Sequence, residues 1–229
     1  ATFAVVKQST SPEHLAAGFA STETFRRVGF LLGPLAATGL FVVTATFVGG
    51  FQAILVLAIG FAVVGTVVQH TLYDASADTV GKSFEGLASV RDDLRAMPDP
   101  LRPLLLGDTL VRFGNGMVYA FVILVITDVW QLRASLFGLS LAPAALFGVF
   151  LAIEMAVALL SMYPVSRLAE RTGLKPVVAL GFVVYATFPA ILIAAPQDPL
   201  VVGIIFAFSG LRFAGLPAHK ALIVGPAER

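Results

Sequence analysis

The chain has 229 residues, of which 58% are hydrophobic and 13% charged, with a mean hydropathy of +0.91. A soluble domain carries about 25% charged residues to cover its surface, so this composition excludes one and makes lipid the solvent. The formal net charge of +1 carries little information about partners and no nucleic acid is expected, while the absence of cysteine excludes a disulfide framework and thiolate metal sites.

Residues 1–26 open apolar and then turn polar through Ser9, Thr10, Ser11, Pro12 and Glu13, the pattern of the end of a preceding helix followed by a cytoplasmic loop. Since the first residue is not Met, the chain is expected to be a fragment or a processed product, with a span missing upstream. Six apolar stretches follow: Arg27–Phe47, Phe51–Val68, Leu104–Ile126, Ala142–Tyr163, Val177–Ala195 and Leu200–Ala218. At ~1.5 Å per residue each is long enough to cross a hydrocarbon core of ~30 Å. Only helices satisfy their own backbone at this length in lipid, which predicts an all-α membrane protein of six transmembrane helices.

Val48-Gly49-Gly50 joins the first two spans as a tight hairpin, so residues 27–68 form one pair. In the long polar segment 69–103, Val80, Phe84, Leu87 and Leu94 recur at helical spacing opposite Lys82, Glu85, Arg91, Asp92 and Asp93. That spacing predicts an amphipathic helix lying along the membrane surface, stopped by Pro98, Pro100 and Pro103. Residues 104–218 hold the remaining four spans, and 219–229 form a tail. Twelve of the 15 basic residues lie on one side of this topology, which puts both ends and the central segment in the cytoplasm of a multi-pass cell-membrane protein.

Four charges lie within spans. Asp108 and Arg112 stand four apart on one helix face and can pair locally. Glu154 is twelve positions after Ala142 and Arg212 thirteen after Pro199, so both lie ~18–20 Å from the outer face. Arg112 reaches a similar depth from the inner side, which predicts a polar layer of Arg112, Glu154 and Arg212 with Asp108 a turn nearer the cytoplasm. An ionisable group in a bilayer costs ~2.5–3.5 kcal/mol even on the lenient insertion scale, so these four are the candidates for a substrate or proton pathway, against the alternative of static ion pairs. Glu154 has no cation on its own helix and is the first choice for a proton carrier. The three histidines, His14, His70 and His219, have no ligand spacing; they are expected to be interfacial, and neither metal nor cofactor is expected.

The turn Tyr163-Pro164-Val165-Ser166-Arg167-Leu168-Ala169-Glu170-Arg171-Thr172-Gly173-Leu174-Lys175 resembles the signature loop of the major facilitator superfamily, with Glu170 in place of the commoner Asp. Gly29, Gly33 and Pro34 resemble the fifth-helix packing motif of that family's proton-coupled exporters, although Ala37-Thr38 replace its glycine pair. Gly210-Leu211-Arg212 through Lys220 resembles a tenth helix running into its cytoplasmic end. The resemblance implies helices five to ten of a twelve-helix transporter that moves a small molecule by alternating access, coupled to protons and directed toward export. It further implies a cytoplasmic latch in which Arg167, Glu170, Arg171, Gly173 and Lys175 form the loop and Glu170 docks near Arg26 and Arg27 at the amino end of the first span. The alternatives of another class are a six-helix intramembrane enzyme and a non-catalytic scaffold. Ser209 is a possible nucleophile for the enzyme, but His219 lies ten residues further along the same helix, ~15 Å away, too far to act as its base.

Overall fold

The computed structural model describes residues 15–44, 46–72, 95, 99, 101–136 and 138–224. Six of its helical stretches are long and apolar enough to cross a membrane. The helices are α1 (Leu15–Val43), α2 (Phe47–Leu72), α3 (Leu101–Leu124), α4 (Pro143–Thr172), α5 (Leu174–Ala194), α6 (Pro199–Gly210) and α7 (Leu216–Val224), with α6 and α7 together making the sixth stretch. The amphipathic helix expected around residues 80–94 lies outside the described residues.

The first helix begins twelve residues before Arg27, so residues 15–26 are helix and the expected loop is corrected there. The first hairpin also turns earlier than expected, since α1 ends at Val43 and α2 begins at Phe47, with the Thr44 hydroxyl donating to the Leu40 carbonyl. Thr46 then accepts from the Gly49 amide at 3.1 Å and starts α2. A side chain at position 50 would strike the Phe41 ring at 2.6 Å, so Gly50 is what lets the two helices meet at this turn. Beyond it α2 is exposed along its length, as an apolar helix facing lipid would be.

Pro103 lies within the first turn of α3, where a missing N–H costs nothing. The far end of α3 widens into a π turn, Val125–Val129, with the Trp130 amide on the Val125 carbonyl at 2.7 Å. A short antiparallel hairpin follows, β1 (Ala134–Leu136) and β2 (Leu139–Leu141), with Ser135 opposite Ser140. It adds one small exception to the all-helical expectation.

The long helix α4 is the centre of the assembly, packed most extensively on α1 and α6. Both crossings depend on a missing side chain. A Cβ at Gly148 would meet the Thr38 hydroxyl at 2.3 Å and the Pro34 carbonyl at 3.0 Å, and Thr38 donates to the Ala145 carbonyl at 3.0 Å. A Cβ at Gly210 would lie 2.4 Å from the Glu154 carbonyl. Nothing described lies within 4 Å of a Cβ at Gly29 or Gly33, so of the expected packing motif only Pro34 sits at the crossing. Phe206 anchors the apolar core, with Phe147, Phe150 and Phe188 rings 5.4–6.1 Å from its own.

The α4–α5 connection is shorter than its sequence suggests. Residues 163–172, read as part of a turn, continue α4 through Pro164, and the chain reverses at Gly173 alone, whose φ of 92° favours glycine.

The sixth stretch is broken. Asp198 caps α6 by accepting from the Leu200 and Val201 amides at 2.9 and 3.0 Å, and Pro199 fills the first helical position. After Gly210 the chain tightens into a 3-10 turn, Leu211–Phe213, before α7 starts at Leu216. Pro217 has no N–H for an uninterrupted ladder, and its ring would clash with the carbonyl four residues back, so the α-helix breaks ahead of it. Gly215 lies against the Val177 carbonyl of α5, where an added Cβ would sit at 3.2 Å.

Candidate functional site

Arg212 occupies that break. It is 2% exposed, and its guanidinium donates to Glu154 Oε1 at 2.7 Å and to Asn115 Oδ1 at 2.8 Å. The rings of Phe213, Tyr119, Tyr185 and Phe188 surround it at 4.6–5.3 Å, so cation–π attraction replaces part of the lost hydration. Glu154 is fully buried on α4 and also accepts from the Tyr119 hydroxyl at Oε2 and the Ser209 hydroxyl at Oε1. Five elements thus converge on one carboxylate and one guanidinium: α3, α4, α5, α6 and the 3-10 turn. Breaking such a buried pair by removing one partner costs ~3–5 kcal/mol, because the survivor is left charged in a dry site.

Glu154 and Arg212 meet as their matched depths predict, and the local pairing with Asp108 that a spacing of four predicts is the one made by Arg112. Its side chain is 61% exposed and is held by Asp108 Oδ2 at 2.7 Å, one turn back on the same helix. The nearby carboxylate captures the guanidinium, and Asn115 instead supplies the α3 ligand to Arg212. Asp108, Arg112, Asn115 and Tyr119 follow a spacing of four, three and four, a polar stripe along an otherwise apolar helix. That stripe was the available signal for Asn115 and Tyr119.

His219 is also corrected. It is buried at 4% exposure, with Nδ1 3.5 Å from Asp108 Oδ1 and its ring edge-on to Phe182. A narrow crevice of about 20 Å³ touches Asp108, Arg112, Tyr185, Arg212 and His219, enough for about one water. On the other side of Tyr185, a cavity of about 280 Å³ opens between α3 and α5 beside Asn115 and Pro189.

The expected latch is rearranged. Glu170 is exposed and forms no ion pair with any described residue, and Arg167, Arg171 and Lys175 are exposed around it. Arg26 and Arg27 lie three turns inside α1, so no free helix N-terminus is available there for a carboxylate. Their acid is Glu23, one turn earlier, at 3.5 Å from Arg26 and 4.0 Å from Arg27. Glu23 is 3% exposed and also binds Lys220 of α7, an ion pair between the first and last described helices. Arg27 further donates to Met155 Sδ at 3.4 Å and stacks 4.1 Å from the Phe213 ring, which also lies against Arg212 and Tyr185.

The described residues therefore make a mostly helical chain with six helices long and apolar enough to cross a membrane, built around a buried ion pair at a helix break. Comparison with protein-family models, characterised proteins and solved structures gives no match to this chain.

Proposed function

We propose that the chain is part of a secondary active transporter of the major facilitator type, moving a small molecule across the cell membrane by alternating access with proton coupling. The observation that carries this reading is the Glu154–Arg212 pair at the interruption of the sixth apolar stretch. Broken helices that present charge within the membrane are a recurring way to build a midplane binding site. Ionisable groups in lipid are costly enough that a purely structural bundle has little use for them. In this reading Glu154 is the proton carrier and Arg212 its counter-ion: a proton on Glu154 frees the guanidinium, and loss of the proton restores the pair. The α4–α5 turn and both ends of the chain then face the cytoplasm, as the basic residues favour.

Export is the direction the fifth-helix motif implies, and the aromatic residues around Arg212 favour an apolar or aromatic substrate. The test is flux in proteoliposomes containing the full-length protein, with a panel of labelled hydrophobic compounds outside and a pH-sensitive dye inside. A transporter of this kind couples compound movement to dye response, and Glu154→Gln abolishes the pH dependence. A scaffold moves neither compound nor protons. Unchanged pH dependence in Glu154→Gln rejects the carrier assignment.

A further inference from the structure

His219 is a buried titratable residue outside the Glu154–Arg212 pair. His219 lies two turns beyond Arg212, about 10 Å along the chain axis, and shares the narrow crevice with it. Its Nδ1 faces the Asp108 carboxylate at 3.5 Å, which favours the tautomer with hydrogen on Nδ1. Nε2 then carries the lone pair, and it is buried with no hydrogen-bond partner among the described residues. The Nε of Arg212 is likewise buried and without a partner. A packing histidine would have both nitrogens satisfied or one in solvent. Here an acceptor is sealed inside the protein beside space for one water.

We propose that His219 is a second proton-binding residue, positioned by Asp108 and coupled to Glu154 through Arg212. The inference rests on the proton-carrier reading of Glu154. With His219 neutral, the charges of Asp108 and Glu154 balance those of Arg112 and Arg212, so the cluster is neutral as a whole. One added proton takes it to +1, and that proton has two seats: Nε2 of His219, near the α4–α5 end, or the Glu154 carboxylate, deeper in the bundle. A second proton would take the cluster to +2 beside the buried Glu154–Arg212 pair, so the two seats are filled in alternation. Transfer moves a proton from a hydronium in the crevice to the Nε2 lone pair, leaving water; release reverses it, and no other bond changes.

Charged and titratable groups surround His219 on its neighbouring elements. Asp108 and Arg112 approach from α3 and Tyr185 from α5, and Glu154 acts from α4 through Arg212. On α1, Glu23 with Arg26 and Arg27 binds the adjacent Lys220.

The chain has three histidines, so His14→Gln with His70→Gln, together with Gln at any histidine outside this sequence, leaves His219 as the imidazole observed by nitrogen NMR of the full-length protein in nanodiscs. The expected result is a reversible titration between pH 5 and 9, with a midpoint displaced by about half a unit or more in both Glu154→Gln and Asp108→Asn, since coupled sites titrate as one system. Phe182→Leu, which changes only the packing on the ring, keeps the displacement caused by Glu154→Gln. A ring that does not titrate, or a midpoint indifferent to Glu154→Gln, overturns the proposal. Should Glu154→Gln fail to fold, proton uptake after a pH jump decides: His219→Gln leaves the single proton only the Glu154 seat and displaces the midpoint of uptake by about half a unit or more, and an unchanged midpoint overturns the proposal. These readouts need no transport, so they fail separately from the transporter reading, which the flux measurement tests.

Discussion

The Arg212 guanidinium meets the Glu154 carboxylate at 2.7 Å with both side chains sealed from solvent, joining a helix break to the middle of the central helix. Removing either charge leaves the other uncompensated, whereas removing both together does not. Arg212→Met alone is expected to destabilise the protein by ~3–5 kcal/mol, and the double variant Arg212→Met/Glu154→Leu to recover most of that loss. Thermal unfolding of the purified variants measures both. The double variant remains inactive in flux assays, which separates the structural part of the pair from its functional part.

Tyr119 donates its hydroxyl to Glu154 Oε2 and places its ring over Arg212. Tyr119→Phe keeps the ring and loses the hydrogen bond, one made to a charged group and worth ~1.5–3 kcal/mol. The variant should fold with a lowered melting temperature and an altered pH profile of transport. An unchanged profile means the hydroxyl plays no part in the proton step.

Close packing predicts a contrast among glycines. Gly210→Ala puts a methyl group against the α4 backbone and Gly148→Ala puts one against Thr38, so each should cost ~1–3 kcal/mol through overpacking. Gly29→Ala and Gly33→Ala meet no described atom and lie inside a helix, where alanine is favoured by up to ~1 kcal/mol. Melting temperatures should therefore fall for the first two variants and hold or rise for the second two.

Glu23 and Lys220 connect the first described helix to the last. Because the chain has no cysteine, Glu23→Cys/Lys220→Cys introduces the only possible disulfide partners in this sequence. Oxidation should crosslink this pair in high yield and stop transport until a reductant is added. The pair Arg27→Cys/Glu170→Cys, placed by the expected latch, should crosslink poorly in the same conformation. Gel mobility after oxidation reads both yields.

The sequence by itself determined the number of helices long and apolar enough to cross a membrane and the two charges that meet in the core. Apolar runs longer than a bilayer is thick have only helical solutions, and position along a helix converts directly into depth. Depth along an axis says nothing about rotation around it or about who stands opposite. Arg112 therefore read as part of one layer with Glu154 and Arg212, when its side chain turns to Asp108 on its own helix. His219 read as interfacial, when the turn at Leu211–Phe213 and Pro217 brings it against α3. Gly29 and Gly33 read as packing residues, when the close crossings fall at Gly148 and Gly210. Those choices belong to tertiary structure because they depend on helix crossing points and on competition between partners, and neither leaves a period in the sequence.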